Sequence, residues 1–183
     1  TPATLDALEL GWAPSGGALV RHLTAMGYSR SSIVDAGLAL TPESGQTYDR
    51  FRERILFPIR DRRGRTVSFG GRSVSGAEPK YLNGPESAVY HKGELLYGFT
   101  EARASARDME TVILVEGYFD HARLFQAGLQ CVVATCGTAL TRSQARQLLS
   151  LAPGVVVCYD GDAAGNRAAV KACEILLAEG CWP

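Results

Sequence analysis

Hydrophobic and polar residues follow two different patterns on either side of residue 108 in this 183-residue chain. Beyond that point three short apolar runs rich in β-branched residues, 111–115, 131–134 and 155–159, are each followed by a segment with helical periodicity. Continuous apolar runs of this kind are typical of strands that are covered on both faces, and alternation with helices indicates parallel pairing through right-handed crossovers. The pattern therefore predicts an α/β unit over residues 109–183.

The first 108 residues have a different organisation. Residues 1–40 carry apolar positions at helical spacing and are expected to be helical. The apolar stretches 55–60 and 66–71 flank a polar turn, which predicts a hairpin of two antiparallel strands. We therefore expect residues 1–108 to form a smaller mixed α+β subdomain, with the helices first and a small antiparallel sheet after them.

Composition excludes several classes of protein. Apolar residues make up 46% of the chain and charged residues 21%, which fits a globular protein and not a disordered one. The longest apolar runs are far shorter than the roughly 18 residues of a membrane span, and no secretion or targeting signal is visible after Thr1. The five cysteines form no C-x-x-C pair, so we expect small buried thiols in a reducing cytoplasm, not a zinc ribbon or a disulfide framework.

Charge is balanced over the whole chain and concentrated in one segment. Lys plus Arg and Asp plus Glu each total 19, yet residues 50–72 contain eight arginines against only Glu53 and Asp61. The planar guanidinium group of arginine matches phosphate oxygens well. The segment therefore predicts contact with phosphate or nucleic acid, and a solvated face is the alternative.

Carboxylates follow two of the predicted strands at the same end. Glu116 comes directly after the run 111–115, with a glycine next to it. Asp160 and Asp162 follow the run 155–159 and flank another glycine. Because open α/β sheets bind ligands at the carboxyl ends of their strands, the three acids share one crevice if these strands are neighbours.

Such a crevice requires a cation. Two carboxylates about 4 Å apart repel by about 4 kcal/mol at an effective dielectric near 20. A site made only of oxygen ligands, with few carboxylates, predicts Mg²⁺ or Mn²⁺. The alternative is that the acids only cap the following helices, and Asp162 is the clearest candidate for that role.

The histidines give a weaker signal. The three of them do not cluster in the sequence. His121, next to Asp120 on a predicted helix, is expected at the surface, with a place beside the metal ligands as the alternative. The glycine patterns of dinucleotide-binding and nucleotide-binding loops are not found.

Two acidic motifs and five further blocks resemble known sequences. EGYFD at 116–120 and DGDAAG at 160–165 resemble the Toprim module that bacterial primases, topoisomerases and some nucleases share. The further blocks resemble the bacterial DnaG-type primase core and stand in primase order. They are YDRFRER at 48–54, FPIRD at 57–61, FGGR at 69–72, PKYLN at 79–83 and HKG at 91–93. The resemblance covers nearly the whole chain and is weakest over the first 40 residues.

The resemblance implies a Toprim-type parallel sheet flanked by helices, preceded by a smaller mixed α+β basic subdomain. It implies an enzyme that makes short RNA primers on single-stranded DNA during replication. By similarity Glu116, Asp160 and Asp162 would be catalytic and would hold Mg²⁺ or Mn²⁺, with Glu116 also assisting proton removal and Asp120 standing just outside these ligands. The basic surface for template strand and nucleotide would consist of Arg50, Arg52, Arg72, Lys80, Tyr81, Asn83 and Lys92.

The resemblance also sets expectations for partners and for completeness. The family pattern places another acidic pair on a later strand, so we expect a catalytic core fragment whose metal affinity and activity are open. Expected partners are single-stranded DNA, ribonucleoside triphosphates and, through a region absent here, a replicative helicase. The expected location is the bacterial cytoplasm at the nucleoid, with no membrane. A Toprim-containing nuclease or topoisomerase fragment and a non-catalytic nucleic-acid-binding module are the alternatives.

Overall fold

A computed structural model describes residues 1–43, 45–106 and 109–181 of the chain. These residues form two compact units, which we name after their sheets. The antiparallel-sheet unit contains Leu5–Ile59 and Thr66–Tyr90, and the parallel-sheet unit contains Thr1–Thr4, Arg60–Arg65 and the described residues from His91 onward.

The first half of the chain supplies short helices and six strands. The four-stranded sheet of the antiparallel-sheet unit has the order β1-β4-β5-β6, and β2 pairs with β3 separately. The hairpin predicted from the apolar stretches is present as β4 and β5. In chain order the elements are α1 (Pro2–Ala7), β1 (Gly11–Ala13), α2 (Ala18–Ala25), α3 (Arg30–Asp35), β2 (Ala39–Leu40), β3 (Tyr48–Asp49), β4 (Arg54–Arg60), β5 (Thr66–Ser73) and β6 (Tyr81–Asn83).

The prediction that residues 1–40 are helical is wrong in part. Residues Gly11–Ala13 form β1, which pairs antiparallel with β4 so that Trp12 lies opposite Ile55. The strand is three residues long and owes its conformation to a partner more than 40 positions away. Helical periodicity in the neighbouring sequence therefore cannot reveal it.

A buried carboxylate fixes the end of β3, the strand that leads into the arginine-rich segment. Asp49 is 2% exposed, and its two oxygens accept hydrogen bonds from the backbone N–H groups of Leu19 (3.0 Å) and Val20 (2.8 Å). These are N–H groups of the first turn of α2, which the helix itself leaves unpaired. The contact ties residue 49, and with it the start of the basic segment, to the helical part of the unit.

The second half of the chain is confirmed as an α/β unit. Its three strands pair in parallel in the order β8-β7-β9, with a strand and a helix alternating three times. The elements are a 3-10 turn (Lys92–Glu94), α4 (Phe99–Ser105), β7 (Thr111–Val115), α5 (Tyr118–Gln126), β8 (Val132–Ala134), α6 (Arg142–Leu149), β9 (Gly154–Val157) and α7 (Ala163–Ala178).

The predicted subdomain boundary at residues 108 and 109 falls partly outside the described residues, because Asp108 is not among them. It stays a prediction. None of the helices that the structure describes combines the length and the apolar character needed to cross a membrane.

The helix start at Thr141 follows a strong local signal. Its hydroxyl accepts a hydrogen bond from the backbone of Gln144, and the Gln144 side chain accepts one from the backbone of Thr141. This reciprocal arrangement is a capping box, and it satisfies two otherwise unpaired N–H groups. The capping box therefore fixes the start of α6 beside the sheet.

β9 is not the fully buried strand that its apolar sequence predicts. It lies at the edge of the described three-stranded sheet, and Val156 is 49% exposed. The prediction that the cysteines are buried fails for the same region: Cys158 directly follows β9 and is exposed, as is Cys173 on α7. Neighbouring elements, which the local pattern does not contain, decide whether an apolar strand is covered.

Candidate active site

Parallel pairing brings the predicted acids to one edge of the sheet. β7 and β9 are adjacent, with Leu114 opposite Val157, and the backbone N–H of Cys158 donates to the carbonyl of Leu114 at 2.8 Å. Glu116 lies just beyond the carboxyl end of β7, and Asp160 lies just beyond the corresponding end of β9. The condition that the sequence analysis set for a shared crevice, adjacency of these strands, is therefore met.

Glu116 is bound directly to the loop that carries the two aspartates. Its Oε1 atom accepts a hydrogen bond from the backbone N–H of Asp160 at 3.0 Å. Gly165 makes this approach possible, because a Cβ there would overlap the carbonyl oxygen of Asp160 and lie 2.9 Å from Glu116 Oε1. The glycine is thus required by the packing of the acidic loop, although glycine weakens a helix.

Asp162 has the capping role that the sequence left open. It is the N-cap of α7, and its Oδ1 atom accepts hydrogen bonds from the N–H groups of Ala164 (2.9 Å) and Gly165 (2.8 Å). A carboxylate has about four acceptor sites on two oxygens, so capping with Oδ1 still leaves acceptor capacity at Oδ2. Capping and metal binding are therefore compatible for this residue.

The donor set is suited to a divalent cation without forming a complete cage. Among the described residues, no three His, Cys, Asp or Glu side chains lie close enough together to hold a metal by themselves. Within the same residues, Glu116, Asp160 and Asp162 form no ion pair with a basic side chain. Mg²⁺ is commonly held by one or two carboxylates together with waters and substrate phosphates, so uncompensated acids at one sheet edge fit it.

Asp120 stands close to this edge on the first turn of α5. Its Oδ2 atom lies 3.1 Å from the position that a Cβ on Gly117 would occupy. The side chain of Asp120 is exposed, and the residue lies four positions after Glu116 in the chain. Its predicted place just outside the metal ligands stays a prediction.

Most of the predicted basic surface lies on and beside strands β5 and β6. Arg72 is opposite Tyr81 in the sheet, and its guanidinium carbon lies 5.9 Å from the centre of the Tyr81 ring. Arg50 donates to the carbonyl of Asn83 through Nη2 at 2.9 Å. Tyr81 is 41% exposed, so its ring is available to a ligand and is not a packed core residue.

Three residues of the predicted surface remain to be placed. The guanidinium carbon of Arg52 lies 4.7 Å from the centre of the Tyr48 ring, which holds the exposed arginine in place. Lys92 belongs to the parallel-sheet unit, where its carbonyl accepts a hydrogen bond from the buried side chain of Gln144 at 3.3 Å. Lys80, the remaining basic residue of the predicted surface, directly precedes β6.

Not all eight arginines of the segment 50–72 are free to contact phosphate. Arg54 is only 5% exposed and donates to the carbonyls of Gly71 and Lys80, so it holds the sheet together. Arg60 pairs with Glu101, and Arg65 pairs with Asp61 at 2.7 Å. The local charge excess counted from the sequence is therefore larger than the positive surface that remains.

Comparison with known proteins covers both units of the chain. Residues 1–103 match the model of the DNA primase catalytic core, N-terminal domain, and residues 110–181 match the Toprim domain. The chain belongs to the DnaG-type primase family. It is 48% identical over 170 residues to a DNA primase of Pseudomonas putida, an alignment that covers 92% of this chain and 26% of that protein.

Solved primase structures have the same fold. The structure of the Aquifex aeolicus primase, containing zinc-binding and RNA polymerase domains, matches with a TM-score of 0.91 and 41% identity, over 98% of this chain and 45% of that one. A DnaG primase catalytic domain bound to single-stranded DNA matches with a TM-score of 0.88 and 40% identity, over 97% and 57% of the two chains. The chain spans about a quarter of the length of the curated Pseudomonas putida primase that it matches.

His121 of this primase core is a structural residue, and its predicted surface position is wrong. The imidazole is fully buried, 4.7 Å from the Tyr97 ring centre and 6.1 Å from that of Phe125. Burial lowers the pKa of His121 to about 4, so the side chain is neutral near pH 7. Its spacing of three from Tyr118 and four from Phe125 places it on the apolar face of α5, a signal that the sequence analysis overlooked.

The sequence analysis also overlooked two basic residues of the primase core. Arg167 and Lys171 lie on α7 and, together with Glu116, line a cleft beside the acidic edge. A pair of cations four residues apart on the helix that follows Asp162 was a readable signal. Both residues lie outside the arginine-rich segment 50–72.

Replacement of Gly165 by alanine should disrupt the acidic loop. The added methyl group would overlap the Asp160 carbonyl, so we expect the free energy of unfolding to fall by about 2 kcal/mol. Gly161→Ala is the matched control, because a Cβ there meets no atom within 4 Å. Urea denaturation measures both variants, and an equal effect of the two substitutions would contradict the packing role of Gly165.

Two replacements of Asp162 separate its capping role from metal binding. Asparagine is as good an N-cap as aspartate, so Asp162→Asn should change the free energy of unfolding by no more than about 0.5 kcal/mol, whereas Asp162→Ala should lower it by about 1 kcal/mol. If Asp162 also holds the cation, both variants should bind Mn²⁺ about tenfold more weakly in electron paramagnetic resonance titrations. Unchanged Mn²⁺ affinity in Asp162→Asn would leave capping as the whole role.

Proposed function

We propose that this chain is the nucleotidyl-transfer core of a DNA primase, which joins ribonucleotides into short RNA primers on a single-stranded DNA template. The observation that carries the proposal is the position of Glu116 and Asp160 at one edge of a parallel sheet, joined by a 3.0 Å hydrogen bond. Family membership supports it, and so does the cluster of basic and aromatic residues on β5 and β6. The alignment covers 26% of the length of the Pseudomonas putida primase.

In the proposed reaction the 3′-hydroxyl oxygen of the growing primer attacks the α-phosphorus of a nucleoside triphosphate. The bond between that phosphorus and the oxygen of the β-phosphate breaks, and pyrophosphate leaves with the bonding electron pair. When bound, Mg²⁺ or Mn²⁺ neutralises charge on the phosphates. Glu116, Asp160 and Asp162 would hold the cation, and Glu116 would also accept the proton of the attacking hydroxyl.

The hydrogen bond between Glu116 and the Asp160 backbone has a role in this scheme. It fixes one oxygen of Glu116, so the carboxylate keeps its orientation in the absence of ligand. Asp162 is oriented in the same way by the N–H groups of α7. Carboxylates held in advance lose little conformational entropy when they bind a cation, which is an advantage in phosphoryl transfer, a reaction that depends on positioning and charge neutralisation.

Template and nucleotide would bind the residues of the predicted basic surface. Arg72 and Arg50 would contact phosphates, Tyr81 would stack on a base, and Lys80 and Lys92 would add positive charge. Such contacts follow the phosphate backbone and read little sequence. We place the reaction in the bacterial cytoplasm, with single-stranded DNA and ribonucleoside triphosphates as partners and a helicase contacted by other segments.

Removal of a carboxylate should abolish synthesis without unfolding the protein. Glu116→Gln and Asp160→Asn keep the size of each side chain and remove one negative charge. We expect each to lower the rate of primer synthesis by about 100-fold or more in a full-length chain, and to weaken Mn²⁺ binding in the 183-residue chain. Undiminished synthesis in both variants would overturn the assignment.

The same samples distinguish a nuclease from a polymerase. Labelled single-stranded DNA is incubated with Mn²⁺ and no nucleotides, and a primase should leave its length unchanged. Shortening of the strand that depends on Glu116 would favour the nuclease alternative. Absence of both synthesis and Mn²⁺ binding would favour a non-catalytic nucleic-acid-binding module.

Binding to single-stranded DNA should depend on salt in proportion to the number of phosphate contacts. Four contacts between basic side chains and phosphates predict a slope of log affinity against log salt of roughly −3. Arg52→Gln removes one such contact and should make the slope less steep by about 0.7. Arg30→Gln removes the same charge from an exposed position on α3 outside the predicted surface, and should leave the slope unchanged. Fluorescence anisotropy with an oligothymidine measures all three proteins, and equal slopes for them would exclude Arg52 from the interface.

A further inference from the structure

A cleft with a volume of 460 Å³ opens beside Glu116 in the parallel-sheet unit. One wall is the segment that precedes α6, from Thr135 to Leu140, and the other is a single face of α7. Volumes of about 300–1,000 Å³ are typical of ligand sites. The α7 residues on this wall recur at helical spacing and are Ala164, Arg167, Ala168, Lys171, Ala172 and Ile175.

The two cations of the cleft have no carboxylate partner within the described ranges. Neither Arg167 nor Lys171 forms an ion pair or a side-chain hydrogen bond with any of the described residues. Elsewhere on the same unit the fold does pair its arginines, as with Arg146 and Glu179 at 2.7 Å. The positive charge in the cleft is therefore not compensated by a carboxylate of the described residues, unlike that of Arg146.

The spacing of these cations is unfavourable without an anion. Like charges at positions i and i+4 of a helix lie side by side and destabilise the helix. At 1.5 Å rise per residue, Arg167 and Lys171 are about 6 Å apart along the axis. A ligand with two adjacent anionic groups would contact both and would remove the repulsion.

Hydroxyl groups also line the cleft, but their protons are not available to a ligand. The Thr138 hydroxyl donates to the carbonyl of Thr135 at 3.2 Å, which fixes the turn, and the Tyr159 hydroxyl is buried. Because a hydroxyl has a single O–H donor, Arg167 and Lys171 are the donors of this cleft that we consider for phosphate oxygens.

We propose that this cleft receives the β- and γ-phosphates of the incoming nucleoside triphosphate, and holds them as pyrophosphate after bond cleavage. The inference rests on the proposed function, since it assumes that the α-phosphate reacts at Glu116. Along α7 the order from the sheet edge is Ala164, Arg167 and then Lys171. A phosphate chain that starts at the acidic edge and extends along this helix face meets the two cations in turn.

Glu116 on the rim gives the cleft selectivity. Its negative charge repels a free anion, so the cleft should favour phosphate chains that carry a divalent cation. The base and sugar would remain outside the cleft, because the α-phosphate lies at its mouth. Arg167 and Lys171 therefore bind what all four nucleotides share, and their contribution should be independent of the base.

Pyrophosphate itself is the probe for this site. Isothermal titration of the 183-residue chain in Mg²⁺ buffer should detect pyrophosphate binding, and Arg167→Gln and Lys171→Gln should each weaken it by about tenfold. Arg167→Lys keeps the charge and should restore most of the affinity. Arg123→Gln, which removes an exposed arginine of α5 that does not line the cleft, should change the affinity by less than about twofold.

The following results would overturn the inference. They are no pyrophosphate binding by the wild-type chain, wild-type affinity in the double variant Arg167→Gln with Lys171→Gln, and equal weakening by Arg123→Gln. A loss of oligothymidine binding in the double variant with unchanged pyrophosphate binding would instead assign the two residues to the strand, which also overturns it. Circular dichroism confirms that each variant is folded.

Mn²⁺ binding separates this inference from the proposed function. The Arg167 and Lys171 variants should bind Mn²⁺ as the wild type does, because neither residue is a metal ligand. Normal Mn²⁺ binding with pyrophosphate binding insensitive to both residues would overturn the inference and leave the proposed function standing. Failure of Mn²⁺ to bind the wild-type chain would count against the proposed function, whatever the pyrophosphate result.

Discussion

The parallel pairing of β7 with β9 is the constraint on which the candidate site depends. Because Leu114 and Val157 lie opposite each other, the loops after both strands begin side by side at the same edge of the sheet. The Asp160 N–H then satisfies one oxygen of Glu116, and Gly165 leaves room for the contact. A shift of this register by one residue would point Glu116 to the opposite face of the sheet and separate it from the loop that carries Asp160 and Asp162.

The start of α7 links folding to the proposed chemistry. Asp162 satisfies two N–H groups of the first turn, a contact that stabilises the helix with or without a ligand. The positive end of the helix dipole also lowers the cost of keeping a carboxylate near two other acids. The same residue therefore contributes to the stability of the native fold and to the negative charge of the edge, and selection on either property maintains both.

The sequence was most informative where structure is local. The three strand–helix cycles follow from periodicity over short segments, whereas the edge shared by the acids also required β7 and β9 to be neighbours, which the fold shows. β1 and β6 were missed, since each is three residues long, and β1 is in addition defined by a partner more than 40 positions away. His121 was misplaced because its polarity was weighed above its position on the apolar face of α5.

The charge count from the sequence was limited in the same way, because it does not show which charges are paired by distant residues. It identified an arginine-rich segment but could not tell that Arg54 holds carbonyls inside the sheet or that Arg60 is paired with Glu101. Those assignments depend on residues up to about 40 positions away, which only the fold brings into contact. A count of charges in a segment therefore gives an upper limit to the positive surface, and contacts decide how much of it remains.

The helix α7 shows how the parallel-sheet unit separates charges of opposite sign over a short distance. Asp162 is its N-cap, and Arg167 and Lys171 follow after roughly one and a half and two and a half turns. An acidic edge alone would attract cations and repel phosphates, and a basic cleft alone would bind phosphates without directing them. Placed in series on one rigid helix, the two can orient a chain of phosphates, because each end of that chain meets a different electrostatic environment.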